Sequence, residues 1–308
     1  MIVAPRVTLP GEDVGPGVAV QVPRSSQGVE RPPNGRRYAT GSTGADRGCT
    51  IGCMSEDPWA ALADPFVDGA YASVKGQVRT FVLHAQLLRH LPDPPAEVLD
   101  VGGGAAHQSL PLARLGFDVT VLDPSPAMLA RAEQRLSAEP DDVRRRVRLI
   151  EGPGEQAEAA TGGQLFDAVL CHGVLMYLDR PDPLVRALCR RARPGGIVSV
   201  MALNARTLAI RPALERRWDD ALAAFDATRE VGVLGAQTRA DTVEDLSALL
   251  EQNGVQPQAW YGVWLFADWL ELPLESTDVA AVRAVELEAG LRDPYRQLSR
   301  VFHLVGRR

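Results

Sequence analysis

The sequence predicts an α/β architecture, a mostly parallel sheet of seven strands with helices on both faces. Three observations carry that reading. Short apolar runs recur between stretches of helical period; the first leads into Asp100 and the glycines Gly102, Gly103 and Gly104; the second closes on Asp123, 19 residues past Gly104. Strand, glycine turn, helix and acid-ended strand form a nucleotide-binding half. The glycines let the backbone turn sharply and approach a ligand, and a carboxylate at that distance can accept hydrogen bonds from ribose hydroxyls.

Each element follows in order. KGQVRTFVLHAQLLRHL, from Lys75, predicts a helix that PDPP stops. Val98 and Leu99 lie in the first buried strand, and VTVLD is the second. A helix follows, then Pro140 with Asp141 and Asp142, then the strand VRLIEG. FDAVLCHGVLMYL holds a fourth strand with His172 just past its carboxyl end, PDPLVRALCRRARPGG predicts a helix stopped by Pro194, Gly195 and Gly196, and IVSVMALN is the fifth strand. Residues 205–308 hold two helical stretches, a strand in QAWYGVWLFADW, a helix in TDVAAVRAVELEAGL and a last strand, SRVFHLVGR. Alternation of this kind implies right-handed crossovers and a parallel sheet. Ligands of such sheets sit beyond the carboxyl ends of the strands at the switch in strand order. That gathers Gly102 to Gly104, Asp123, Gly154, Glu155 and His172 around one crevice.

A dinucleotide fingerprint needs a third glycine, and the pattern here is Gly102-x-Gly104-x-x-His107. Its absence points away from a pyrophosphate and toward a nucleoside joined to an uncharged or zwitterionic group.

With 308 residues, 45% of them hydrophobic, and a net charge of −6, the chain can bury a full core. No apolar run reaches the roughly 20 residues needed to span a bilayer, and the beginning of the chain lacks the basic-then-apolar pattern of a secretory signal. A cytoplasmic protein without membrane contact is expected. Residues 1–53 are rich in Gly, Pro, Arg and Ser without sustained periodicity, so they are expected to be a disordered extension, with Met54 a candidate start of the domain 54–308. Cys49 and Cys53 have no second pair to complete a zinc site, and no metal is expected.

KGQVR, VLDVGGG, VTVLDPSPAML, VLCHGVLMYLDRPDPLV, LCRRARPGGIVSVMALNA, and ELE followed by DPYRQLSRVFHLVGRR resemble the tRNA 5-carboxymethoxyuridine methyltransferase family, in order and spacing, from about Asp64 to Arg307. The resemblance implies a Rossmann-like class I methyltransferase fold, S-adenosylmethionine as cofactor, and esterification of the carboxylate of a modified wobble uridine. It also implies roles. Arg79 would pair with the methionine carboxylate, Gly102 and Gly103 would approach the methionine part, Asp123 would hold the ribose, Gly154 and Glu155 would lie at the adenine end, and His172 would touch the cofactor. A carboxylate nucleophile is already ionised and needs no general base; for a hydroxyl acceptor His172 is the first candidate base.

The acceptor half departs from the family pattern. Trp264 and Ala267, in GVWLFADW, stand where the family has an arginine and a histidine, and Met176 and Tyr177 replace an acidic-aromatic pair. The insertion at about 205–240, a natural place for specificity, lacks the family's lysines and balances six arginines with five acids over residues 206–239. Arg144, Arg145, Arg146 and Arg148 read as a solvated face. A small-molecule methyltransferase therefore stands as the alternative, with Trp260, Trp264 and Trp269 suggesting an apolar pocket. A cofactor-binding subunit without catalysis is a third reading.

Overall fold

A computed structural model describes residues 60, 63, 65–232 and 237–308. The expected extension 1–53, Met54 as a start, Cys49 and Cys53 all lie outside the described residues. The chain passes through a π-helical turn, Pro65–Tyr71, into α1 (Val74–Leu87), then β1 (Glu97–Val101), α2 (Ser109–Arg114), β2 (Asp118–Asp123), α3 (Pro126–Ser137), α4 (Asp141–Arg144) and β3 (Val147–Glu151). It continues through α5 (Ala157–Ala160), β4 (Phe166–His172), α6 (Asp182–Arg191) and β5 (Ala192–Leu203). The insertion contributes α7 (Ile210–Leu214), α8 (Trp218–Ala224), β6 (Arg229–Val231) and β7 (Gln237–Arg239). The last elements are α9 (Val243–Gln252), β8 (Gln256–Val263), α10 (Phe266–Trp269), α11 (Val279–Leu291) and β9 (Val301–Arg307).

Local chemistry sets several helix starts. The hydroxyls of Ser73, Ser125 and Thr242 accept from the backbone N–H of Gly76, Met128 and Asp245, and Pro126 opens α3 where no N–H is needed. The strands order as β3-β2-β1-β4-β5-β9-β8; the first five run parallel, and β9 is antiparallel to both β5 and β8. This is the predicted seven-stranded, mostly parallel sheet. One face buries Val98, Val121, Leu170 and Val305 under α1 to α4; the other buries Leu99, Val169, Val200 and Phe302 under α5, α6 and α9. Covering both faces explains why the central strands read as unbroken apolar runs.

One boundary differs from the sequence expectation. α6 ends at Arg191, and Pro194, Gly195 and Gly196 belong to β5. The reason lies at the far end of the chain: Gly195 N donates to Arg308 O at 2.7 Å, Arg308 N donates to Gly196 O at 2.9 Å, and so the segment pairs as strand. The strand expected in QAWYGVWLFADW is β8, which ends at Val263; Trp264 then takes φ +61° and α10 begins at Phe266. The buried Glu286 carboxylate receives the N–H groups of Leu265 and Ala267 at 2.9 and 2.5 Å, which holds that turn closed. The β6–β7 hairpin was not expected.

Candidate active site

The crevice lies beyond the carboxyl ends of β1, β2, β3 and β4, with β1 standing between β2 and β4 at the reversal of strand order. β1 leads into Gly102 at φ +69°, whose N–H donates to Leu122 O at 2.7 Å. A Cβ at Gly102 would stand 2.3 Å from Val174 Cγ2, and one at Gly103 would stand 2.9 Å from the Asp100 carboxylate and from Val121 Cγ1. The turn therefore admits only glycine at either place. Asp123 is buried at the end of β2, where it accepts from Gly104 N at 2.8 Å and Ser125 N at 2.9 Å. The ribose-type acid and the glycine turn are thus bonded to one another.

Position 107, where a dinucleotide fold places its third glycine, holds a histidine that stacks on Tyr71 with ring centroids 3.7 Å apart. Burial, then Arg135 and Arg79, push its pKa down to about 3, so His107 is neutral, with Nε2 3.0 Å from the Arg135 guanidinium. A ring of this size stands where the dinucleotide fingerprint keeps a glycine for close helix–strand packing.

Arg79 is buried on α1. It donates to Tyr71 Oη at 3.0 Å and to the His172 carbonyl at 3.3 Å, and no carboxylate among the described residues forms an ion pair with it. It is no solvated helix arginine. His172, at the end of β4, is likewise buried: Nε2 lies 2.8 Å from Ser199 Oγ, and Nδ1 has no hydrogen-bond partner among the described residues. Burial, then His303 and Arg79, push its pKa well below the ordinary histidine value, so the ring is neutral at physiological pH. Gly154 follows β3 and packs so tightly that a Cβ would stand 2.5 Å from Leu184 Cδ1 and Val101 Cγ1; Glu155 beside it is exposed.

Asp100 has a signal of its own. Burial raises its pKa to about 6, against the Ser109 hydroxyl donating at 2.5 Å, and the nearby Asp123 raises it further. A carboxyl whose folded pKa lies above its unfolded value binds protons more readily in the fold, so its ionisation costs stability as pH climbs from about 4 to about 6. Asp100→Asn, an isostere that still accepts from Ser109, is therefore expected to raise stability by about 1–3 kcal/mol at pH 7.5. The gain should vanish below pH 4 in urea titrations, and a gain independent of pH would show another cause.

Sequence reasoning missed Tyr71, which only the fold brings to Arg79, and the polar row behind His172: Ser199, His303 and Gln86. A serine in IVSVMAL, otherwise wholly apolar, was the available signal, since a buried hydroxyl needs a partner. The tryptophans do not line one pocket. Trp260 packs with the core on the α9 face and lies under Arg296 at 4.2 Å, whereas Trp264 joins the α1 side, donating Nε1–H to Lys75 O at 2.8 Å. The arginine cluster behaves as a solvated face, with Arg144, Arg145 and Arg148 exposed. Among the described residues no group of His, Cys, Asp and Glu is arranged to hold a metal, and no helix is long and apolar enough to cross a membrane.

A buried arginine without a carboxylate partner, and an imidazole nitrogen without any, among the described residues, together with an acid bonded to a glycine turn, suit a zwitterionic nucleoside: a carboxylate, an ammonium and ribose hydroxyls are their complements. Known proteins agree. Residues 99–198 match a methyltransferase domain family. The magnesium protoporphyrin IX methyltransferase of Synechocystis PCC 6803, solved with bound S-adenosylhomocysteine, shares the fold at TM-score 0.55 and 16% identity, over 82% of this chain and 97% of that one. The protein is a methyltransferase on a Rossmann-like fold. In particular, it is similar to the tRNA 5-carboxymethoxyuridine methyltransferase of Escherichia coli K12, at 27% identity over 259 residues, which cover 83% of this chain and 97% of the relative. The ubiquinone biosynthesis O-methyltransferase of Methylobacterium nodulans is 34% identical over 119 residues, 38% of this chain and 44% of that protein.

Proposed function

We propose that the enzyme methylates a carboxylate oxygen of a modified wobble uridine in tRNA, in the cytoplasm. One observation carries this reading: the similarity to the tRNA enzyme runs through 83% of the chain, whereas the ubiquinone O-methyltransferase matches 38%. The residues of the crevice support it. S-adenosylmethionine supplies a methyl group on a sulfonium, and the chain's task is to hold the acceptor in line and exclude water. Arg79 would receive the methionine carboxylate, Gly102, Gly103 and Gly104 would give the backbone its close approach, and Asp123 would hold the ribose. Gly154 and Glu155 border the adenine end. His172, neutral and tied at Nε2, suits a binding role more than a base, and an ionised carboxylate acceptor needs no base.

A second reading, a small-molecule carboxylate or hydroxyl acceptor, draws on the insertion. Five of its six arginines, Arg206, Arg211, Arg217, Arg229 and Arg239, are paired with acids, which leaves little free positive charge for a polyanion. Nucleoside mass spectrometry of total tRNA from a deletion strain and its parent separates the two. Loss of a methyl-ester uridine, restored by purified enzyme with labelled S-adenosylmethionine, is the expected result. Identical profiles with no label transfer, given confirmed cofactor binding, would move the assignment to a small molecule.

A further inference from the structure

Behind His172 runs a row of buried polar side chains. Alternation along β4, β5 and β9 puts His172, Ser199 and His303 on the sheet face that α1 covers, and the register, Leu170 opposite Ser199 and Met201 opposite His303, sets Ser199 between the two rings. Ser199 Oγ is 2.8 Å from His172 Nε2 and 2.7 Å from His303 Nε2; His303 Nδ1 is 3.1 Å from Gln86 Oε1; and Gln86 Nε2 donates to Gly262 O at 2.9 Å. Gln86, Ser199 and His303 are wholly buried.

The direction of every hydrogen bond in this row follows from its far end. The Gly262 carbonyl can only accept, so it takes the amide N–H of Gln86 and turns Oε1 toward His303. Oε1 can only accept, so His303 carries its proton on Nδ1. Burial holds the His303 pKa at about 3, so the ring is neutral and Nε2 is a lone pair, to which Ser199 donates. The Ser199 oxygen is then left to accept from His172 Nε2–H. A neutral His172 protonated at Nε2 has a bare lone pair at Nδ1, the nitrogen with no partner among the described residues.

We propose that Gln86, His303 and Ser199 are positioning residues that hold His172 as its Nε2–H tautomer, so that Nδ1 accepts a hydrogen bond from the α-ammonium of the cofactor. Arg79 supplies the placement. Its guanidinium donates to the His172 carbonyl, so a carboxylate held by Arg79, as assigned under the proposed function, carries the ammonium on the adjacent carbon to His172. The opposite tautomer would turn an N–H toward the same ammonium, two donors facing each other.

The tautomer is read directly from the ring nitrogens of His172 by two-bond proton–nitrogen correlation NMR on the full-length ligand-free protein, which does not depend on the acceptor. The expected spectrum shows a pyrrole-type Nε2 and a pyridine-type Nδ1. A protonated Nδ1 in the wild type would overturn the proposal. Gln86→Leu, which removes the acceptor that polarises the row, should let His172 populate both tautomers. A Gln86→Leu protein that is folded, by its dispersed amide spectrum, yet unchanged at His172 would show that the row does not set the tautomer. Calorimetric affinity for S-adenosylhomocysteine should fall about two- to fivefold in Gln86→Leu, as the competent tautomer becomes a fraction of the whole. Affinity for 5′-methylthioadenosine, which lacks the amino-acid part, should not change. Equal losses for both ligands would overturn the ammonium assignment and leave the tRNA reading untouched.

Discussion

Replacing Asp268 with asparagine is expected to destabilise the protein by about 3–5 kcal/mol, the cost of stripping a buried carboxylate from its cations. The Asp268 side chain is fully buried. Arg211 Nη2 lies 2.7 Å from each of its oxygens, Lys75 Nζ bonds to it directly, and Arg300 Nε is 3.9 Å away. A neutral amide would leave Lys75 and Arg211 facing one another without their acid, beside Arg300, which keeps its pair with Glu230; Lys75 and Arg211, each about a third exposed, can recover some hydration, which favours the lower end of that range. Burial pushes the Asp268 pKa up, but Lys75 and Arg211 outweigh it and hold the pKa below the ordinary carboxylate value. The sign follows: the stabilisation is full above the unfolded pKa of about 4 and is lost as pH falls through the lower folded value. Urea midpoints of the wild type and Asp268→Asn should lie far apart at pH 7 and converge at strongly acid pH. Coincident midpoints at pH 7 would mean that the cluster adds nothing net.

Asp123→Ala carries the second large effect, on the ligand. Removing the carboxylate from a ribose pair of hydroxyls should weaken cofactor binding by about 1.5–3 kcal/mol, the scale of a hydrogen bond to a charged group. The same substitution strips Gly104 N and Ser125 N of their acceptor, so the glycine turn loosens as well. Arg79→Ala should lose a similar amount, and it also frees Tyr71 from its guanidinium. Calorimetric titration with S-adenosylhomocysteine measures both. Unchanged affinity in the two variants would displace the site from this crevice.

The crevice at the strand ends was legible because the residues that line it are close in sequence. Gly102 to Gly104, Asp123 and His172 each sit at the end of a short apolar run, and a strand end is where this fold keeps its ligands. What could not be read is what sequence distance hides. Lys75 and Asp268 are 193 residues apart and Gln86 and His303 are 217 apart, so only the meeting of α1 with the antiparallel part of the sheet makes them neighbours. The hairpin strands β6 and β7 have three residues each and are mostly polar, too short to show a period of 2. Pro194-Gly195-Gly196 has the composition of a helix stop, and it became strand because Arg308 offered its backbone a partner. Trp264 marks the same limit, since φ +61° at a tryptophan answers to the Glu286 carboxylate and to Lys75, not to its neighbours.

The strand β9 lies between β5 and β8, and β8 has no other neighbour in the sheet. In chain order β9 follows both of them. On the ribosome, all the residues assigned to the cofactor, none beyond position 172, emerge well before the sheet can be completed. Until residues 301–307 follow, the nascent chain carries β5 and β8 as two separate open edges, the arrangement most prone to pairing with another chain. Synthesis therefore delivers the binding half before the strand that joins those two edges.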